Sequence, residues 1–183
     1  NKNVAECLYA GIMTDTGSFK YASTTQKTHH IIADLIAKGA DNAKIHDLVY
    51  DNFSEKRLKL LGYCLNQKLQ IFKENKAAII SLDAEELEKF NFQKGDTEGV
   101  VNYALMIEGI VCAAFIAEKQ GMVKLSLRSK GDFKVNEIAK KYFNGGGHTN
   151  AAGGISDVSV EKTIIKLESI FEKYKSELIN TKF

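Results

Sequence analysis

The chain has 183 residues, 44% of them hydrophobic, which is enough for one large or two small domains with a real core. Lys and Arg number 25 against 23 Asp and Glu, a net charge of +2 with the signs mixed along the chain. That excludes a long polyanion-binding stripe but not a small nucleotide, which needs only a few local cations. Cys7, Cys64 and Cys112 are odd in number and far apart. They argue against a disulfide framework or a structural zinc site, and point to a reducing cytosol. No apolar run approaches a membrane span, and no secretory leader opens the chain. Its first residue is Asn1 rather than Met, as in a processed or partial chain or one freed of a tag.

The first third reads as helical. Val4 to Tyr9 is an apolar-rich turn leading into Ala10-Gly11-Ile12-Met13. Thr28 to Lys38 carries Ile32, Leu35 and Ile36 on one face and stops at Gly39. Asp41 caps the next helix, and Ser54 caps another that carries Leu58, Leu61 and Leu65. The pattern then changes. Lys68 to Phe72 and Ala77 to Leu82 read as strands, and Asp83 to Phe90 as a short helix. Asp96 or Thr97 reads as the cap of a helix containing Asn102. Ile110 to Ala117 and Val123 to Arg128 form a hairpin around Gln120-Gly121. Val135 to Phe143 is helical, and Val160, Ile164, Leu167, Phe171, Tyr174 and Leu178 form one helical stripe. With no proline anywhere, the domain boundary rests on the pattern change near Lys68 to Lys76.

The densest chemistry lies at Asn144-Gly145-Gly146-Gly147-His148-Thr149-Asn150-Ala151-Ala152-Gly153-Gly154. Three consecutive glycines let backbone N–H groups converge on an anion, and His148 adds a donor or a proton. A flexible turn is the bland alternative. The small residues after it imply a backbone packed closely against something. Asp15, between two threonines and before Gly17, is a carboxylate in a turn suited to a hard cation, or else an Asx-turn or cap. His29 and His30 are adjacent, so on a helix they diverge and do not share an ion easily; helix surface is their expected role, and His46 stands alone. Period two puts Lys124, Ser126 and Arg128 on one strand face, where Arg128 can clamp a phosphate bidentately or simply belong to a polar sheet face. Asn102 either faces a ligand or follows a cap.

These clusters, in this order, resemble the DHH phosphoesterase family, and within it the nanoRNase and 3′-phosphoadenosine 5′-phosphate phosphatase branch. The matching pieces are Gly11 to Phe19, Asp96 to Tyr103, Ser126 to Ser129, and the glycine–histidine signature at Gly145 to His148. The resemblance implies an α/β fold: the helical tail of a DHH catalytic domain (residues 1–70, with a linker helix), then a compact α+β DHH-associated domain with a mixed sheet (residues 71–183). It implies a two-metal phosphoesterase, usually manganese-dependent, with Asp15 as a metal ligand and catalytic residue. Arg128, Ser126, Asn102, His148, Gly145, Gly146 and Gly147 would hold substrate, in a cleft between the domains. Short RNA oligonucleotides or nucleotide phosphoesters are the implied partners. The naming Asp-His-His triplet is absent; Thr28-His29-His30 is not it, since it has Thr for Asp and follows the Asp15 motif. The chain is therefore expected to be the C-terminal part of such an enzyme and catalytically silent alone. The alternatives are a cyclic or linear dinucleotide phosphodiesterase, and a non-catalytic nucleic-acid-binding module such as the C-terminal domain of alanyl-tRNA synthetases. Near-neutral charge and the Asp15 motif weigh against the latter.

Overall fold

The computed structural model of the protein describes residues 1–21 and 23–182. It divides into two compact units, Asn1–Phe53 and Ser54–Phe183.

The first unit holds α1 (Lys2–Asp15), α2 (Gln26–Ala37) and α3 (Asn42–Tyr50). The expected turn over Val4 to Tyr9 is helix instead. The Asn1 side chain accepts a hydrogen bond from the Val4 N–H at 3.0 Å, capping a helix whose Ala5, Tyr9 and Met13 recur every fourth residue and are buried. They pack with Ile32 and Leu35 of α2 and Ile45 of α3. Helix α2 begins earlier than expected, because Thr25 and Thr28 form a reciprocal capping box. Asp41 caps α3 as expected.

The second unit starts with α4 (Glu55–Tyr63), capped by Ser54 and running into a π-helical turn at Cys64–Lys68. There follow β1 (Leu69–Phe72), a 3-10 turn at Lys73–Asn75, β2 (Ala77–Leu82), α5 (Ala84–Lys89), α6 (Val100–Leu105), β3 (Cys112–Lys119), β4 (Met122–Ser129), α7 (Val135–Tyr142), β5 (Gly146–His148), β6 (Ala151–Ser156), α8 (Val160–Lys173) and α9 (Lys175–Asn180). Six strands form one sheet in the order β1-β2-β3-β4-β6-β5. Only the β2–β3 pair among these is parallel, so the sheet is mixed, as expected.

By packing, the boundary lies at Phe53/Ser54 rather than near Lys68 to Lys76. The expected linker helix belongs to the second unit because Leu60 and Cys64 are buried with Ile80, Val101 and Phe115. The helical stripe from Val160 also differs. It is kinked at Tyr174 (φ −99°, ψ 12°), which ends α8 and precedes α9. The Tyr174 ring stands edge-on to both Phe133 and Tyr142, with centroids 6.4 Å away in each case. The stripe stays core-facing, with Leu167, Phe171 and Leu178 buried.

The two sheet faces are covered unequally. On one, Ile79, Ile116, Leu125, Leu127 and Ala152 pack against Val135, Ile138, Leu167, Phe171 and Leu178 of α7, α8 and α9. Burying each such large side chain contributes about 1.5–3 kcal/mol. On the other, Ala78, Ile80, Ala113 and Phe115 pack under Leu60, Val100, Val101 and Ala104 of α4 and α6. That cover lies over β2 and β3 and, through α6, reaches part of β4. On the same face of β4, β6 and β5, Lys124, Ile155, Gly146 and His148 are exposed, and Ser126, Arg128, Ala151 and Gly153 are half-buried.

Candidate functional site

The uncovered part of the sheet brings together most of the residues singled out in the sequence. Arg128 pairs with Ala151 across β4–β6, and His148 pairs with the same Ala151 across β5–β6. One cross-strand row therefore reads Arg128–Ala151–His148. The next reads Ser126–Gly153–Gly146. Directly opposed residues in an antiparallel ladder point to the same face. A guanidinium, a hydroxyl and an imidazole thus share a floor that glycine and alanine leave bare. The Arg128 Nη1 donates to the carbonyl of the preceding residue, Leu127, at 3.0 Å.

The triple glycine is not an open loop. The Gly145 N–H donates to the Ala139 carbonyl at 3.1 Å, and Gly146–His148 is an edge strand laddered to β6. The glycines serve close backbone approach instead. A Cβ on Gly145 would lie 2.0 Å from the Gly153 carbonyl oxygen. Gly147 has φ +144°, and a Cβ there would lie 2.4 Å from the Ala151 oxygen. Gly146 is different, since a Cβ there meets nothing within 4 Å. The close packing expected of the Ala151 to Gly154 segment is therefore real, and its partner is the glycine strand itself.

Beside the Arg128 and Ser126 end of the floor lies a cavity of about 110 Å³, lined among others by Thr97, Glu98, Phe115, Lys119, Lys124 and Arg128. The Lys119 Nζ donates to the Thr97 hydroxyl at 3.0 Å and sits 4.5 Å from the Phe92 ring centroid. Burial, and then the charge of Lys124, hold the Lys119 ammonium below the usual lysine value, with Glu98 opposing them. Three cations and one carboxylate make this corner electropositive.

The remaining expected residues sit elsewhere. Asn102 is half-buried on α6 and does not line that cavity, though its neighbour Val101 does. Neither Asp96 nor Thr97 caps α6; the cap position is Gly99 at φ +81°. The Asp96 carboxylate accepts from the Gln93 N–H at 2.7 Å, while Thr97 serves Lys119. Asp15 is not in a turn: it is the last residue of α1, exposed, in the first unit. Among the described residues no three of His, Cys, Asp and Glu cluster as metal ligands would. The donors among the described residues thus do not fit a two-metal centre. His29 and His30 are exposed on α2, as expected.

Lys119, Lys124 and Asn150 carry more than the sequence reading assigned them. Following the period-two register through the Gln120-Gly121 turn places Lys119 on the face of Lys124 and Arg128. Asn150 clamps the end of the site, its Nδ2 donating to the Ser129 hydroxyl and the Gly131 carbonyl, both at 2.9 Å. No local pattern marks it, because its partners lie about twenty residues away.

The second unit is thus a half-covered mixed sheet with an Arg–Ser–His face beside a glycine edge strand. The chain belongs to the DHHA1 domain family, whose model matches residues 74–177. It is 37% identical over 175 residues to the probable bifunctional oligoribonuclease and PAP phosphatase NrnA of Streptococcus mutans, covering 95% of this chain and 53% of that protein. It is 32% identical over 176 residues to the cyclic-di-AMP phosphodiesterase GdpP of Geobacillus thermodenitrificans, covering 93% of this chain and 25% of that protein. A crystal structure of an exopolyphosphatase-related protein from Bacteroides fragilis superposes with a TM-score of 0.93 at 44% identity, over 97% of this chain and 52% of that one. The chain thus spans about half the length of the NrnA relative and of the B. fragilis protein it matches.

Proposed function

We propose that this chain is the substrate-binding, C-terminal portion of a phosphoesterase that hydrolyses short oligoribonucleotides and nucleotide phosphates such as 3′-phosphoadenosine 5′-phosphate. The observation that carries the reading is the shared row of Arg128 and His148 beside the bare Gly153–Gly146 floor. In this reading the Arg128 guanidinium binds two non-bridging phosphate oxygens, and Ser126 donates a further hydrogen bond. His148 donates to the same group or to the leaving oxygen. A base lies flat on the sheet where Gly146 and Gly153 carry no side chain. Fixed cations of this kind offset charge that builds on a phosphoryl group during transfer. Metal ions, manganese in this proposal, would draw on Asp15 together with ligands outside residues 1–183, so the chain alone binds substrate without cleaving it. Likeness to NrnA supports the oligoribonucleotide and phosphatase reading. Likeness to GdpP supports a second one, a cyclic dinucleotide as the substrate.

The test is calorimetric titration of the chain and its Arg128→Ala variant with diadenylate, cyclic diadenylate and transfer RNA. Diadenylate bound best, with at least a tenfold loss in the variant, is the expected result. Preference for the cyclic compound selects the second reading, and preference for transfer RNA a nucleic-acid-binding module. Manganese-dependent cleavage by the purified chain would overturn its expected silence.

A further inference from the structure

We propose that Lys119 and Lys124 form a second phosphate subsite, separate from Arg128 and His148, which selects ligands carrying two phosphate groups over those carrying one. The inference rests on the nucleotide-binding reading of the sheet face and deepens it.

Four observations carry it. Lys119, Lys124, Ser126 and Arg128 occupy one face of the β3–β4 hairpin, through the pairing of Lys119 with Met122 and of Ala117 with Lys124. All four line a single cavity. Lys124 and Arg128 lie four residues apart on one strand, roughly 13 Å between Cα atoms at about 3.3 Å per residue, so their side chains enter the cavity from different points along β4. Lys119 is half-buried with its head group fixed between the Thr97 hydroxyl and the Phe92 ring, so little rotamer entropy remains to be lost on binding.

The balance of charge points the same way. Burying a lysine beside another lysine is unfavourable, and the lowered Lys119 value records that cost. Glu98, the acidic residue lining the cavity, offsets only part of it. An anion between the two ammonium groups would relieve the rest. A lysine kept merely to prop Thr97 would gain nothing from Lys124 on the same wall. Phosphate suits the corner because two ammonium groups and a threonine hydroxyl supply point-charge contacts without demanding a planar acceptor. Arg128, at the far end, supplies the bidentate fork. A ligand with two phosphates and one nucleoside or dinucleoside body would then engage both ends of one sheet face.

The experiment compares dissociation constants for diadenylate with and without a 5′-phosphate (pApA and ApA), using the 183-residue chain and its Lys119→Met, Lys124→Ala, Lys124→Arg and Arg128→Ala variants. The wild type is expected to prefer pApA by tenfold or more. That preference should shrink to within about threefold in Lys119→Met and Lys124→Ala, and persist in Lys124→Arg, which keeps the charge. Arg128→Ala should weaken both ligands. An equal loss for both ligands in the lysine variants, or an undiminished preference, overturns the subsite while leaving the Arg128 reading intact. If the wild type binds neither dinucleotide, the nucleotide-binding reading fails and the subsite fails with it.

Discussion

Arg128 and His148 are brought into one row by a single residue, Ala151, which pairs with both across two strand ladders. They lie twenty residues apart in sequence, on strands separated by α7. If both contact one phosphate, their contributions are coupled. Each substitution by alanine should cost diadenylate binding about 1.5–3 kcal/mol, and the double variant clearly less than the sum. A double-mutant cycle by calorimetry reads this directly, and strict additivity would assign the two side chains to different groups.

The glycine signature separates into structural and open positions. Gly145→Ala pushes a methyl into the Gly153 carbonyl, where both partners are backbone and neither can rotate away. A loss of about 1–3 kcal/mol, or failure to fold, is expected. Gly146→Ala adds a methyl in open space on a strand and should be neutral or stabilising by up to about 1 kcal/mol. Urea denaturation of the two variants distinguishes these outcomes, and equal destabilisation would contradict the packing described.

Glu86 links stability to acid pH. Burial alone would raise its carboxyl, but hydrogen bonds from Lys68 and Tyr63 and from the Asp83 backbone hold it below its usual 4.5. Its folded value lies under its unfolded one, so its contribution is complete above about pH 4.5 and is lost as pH falls through the lower folded value. Glu86→Gln should therefore flatten the acid limb of a melting-temperature profile between pH 6 and pH 3, values in the range set by ordinary carboxylate titration. An unchanged limb would show that the Lys68–Glu86 ion pair, 2.8 Å long, contributes nothing measurable.

The cysteines make a simple check on burial. Desolvation pushes the Cys112 and Cys64 thiols up to about 12, whereas Cys7 is exposed on α1. Native protein at pH 8 should take up one equivalent of an alkylating reagent, at Cys7, and all three thiols should react in denaturant. Rapid native labelling of Cys112 would mean that the β2–β3 core opens locally.

What the sequence determined by itself was local. Asp41 and Ser54 announced their helices because a cap needs only a side chain and an N–H three residues on. The β3–β4 hairpin and its period-two face were legible for the same reason, and the Arg128 and glycine–histidine segments could be singled out by residue type. The Val4 to Tyr9 helix was missed though its apolar spacing was in view, and Asp15 proved to end a helix rather than sit in a turn. Tertiary structure alone decided the rest. It spent the Gly145 N–H on Ala139, turned the glycines into a strand edge, and gave the α4 helix to the second core. It also put Lys119, Lys124, Ser126, Arg128 and His148 on one sheet face, beside the part that α4 and α6 cover. Those outcomes depend on which strands pair and which helices cover them, and hydrogen-bond partners and buried area far along the chain leave no local trace in residue order.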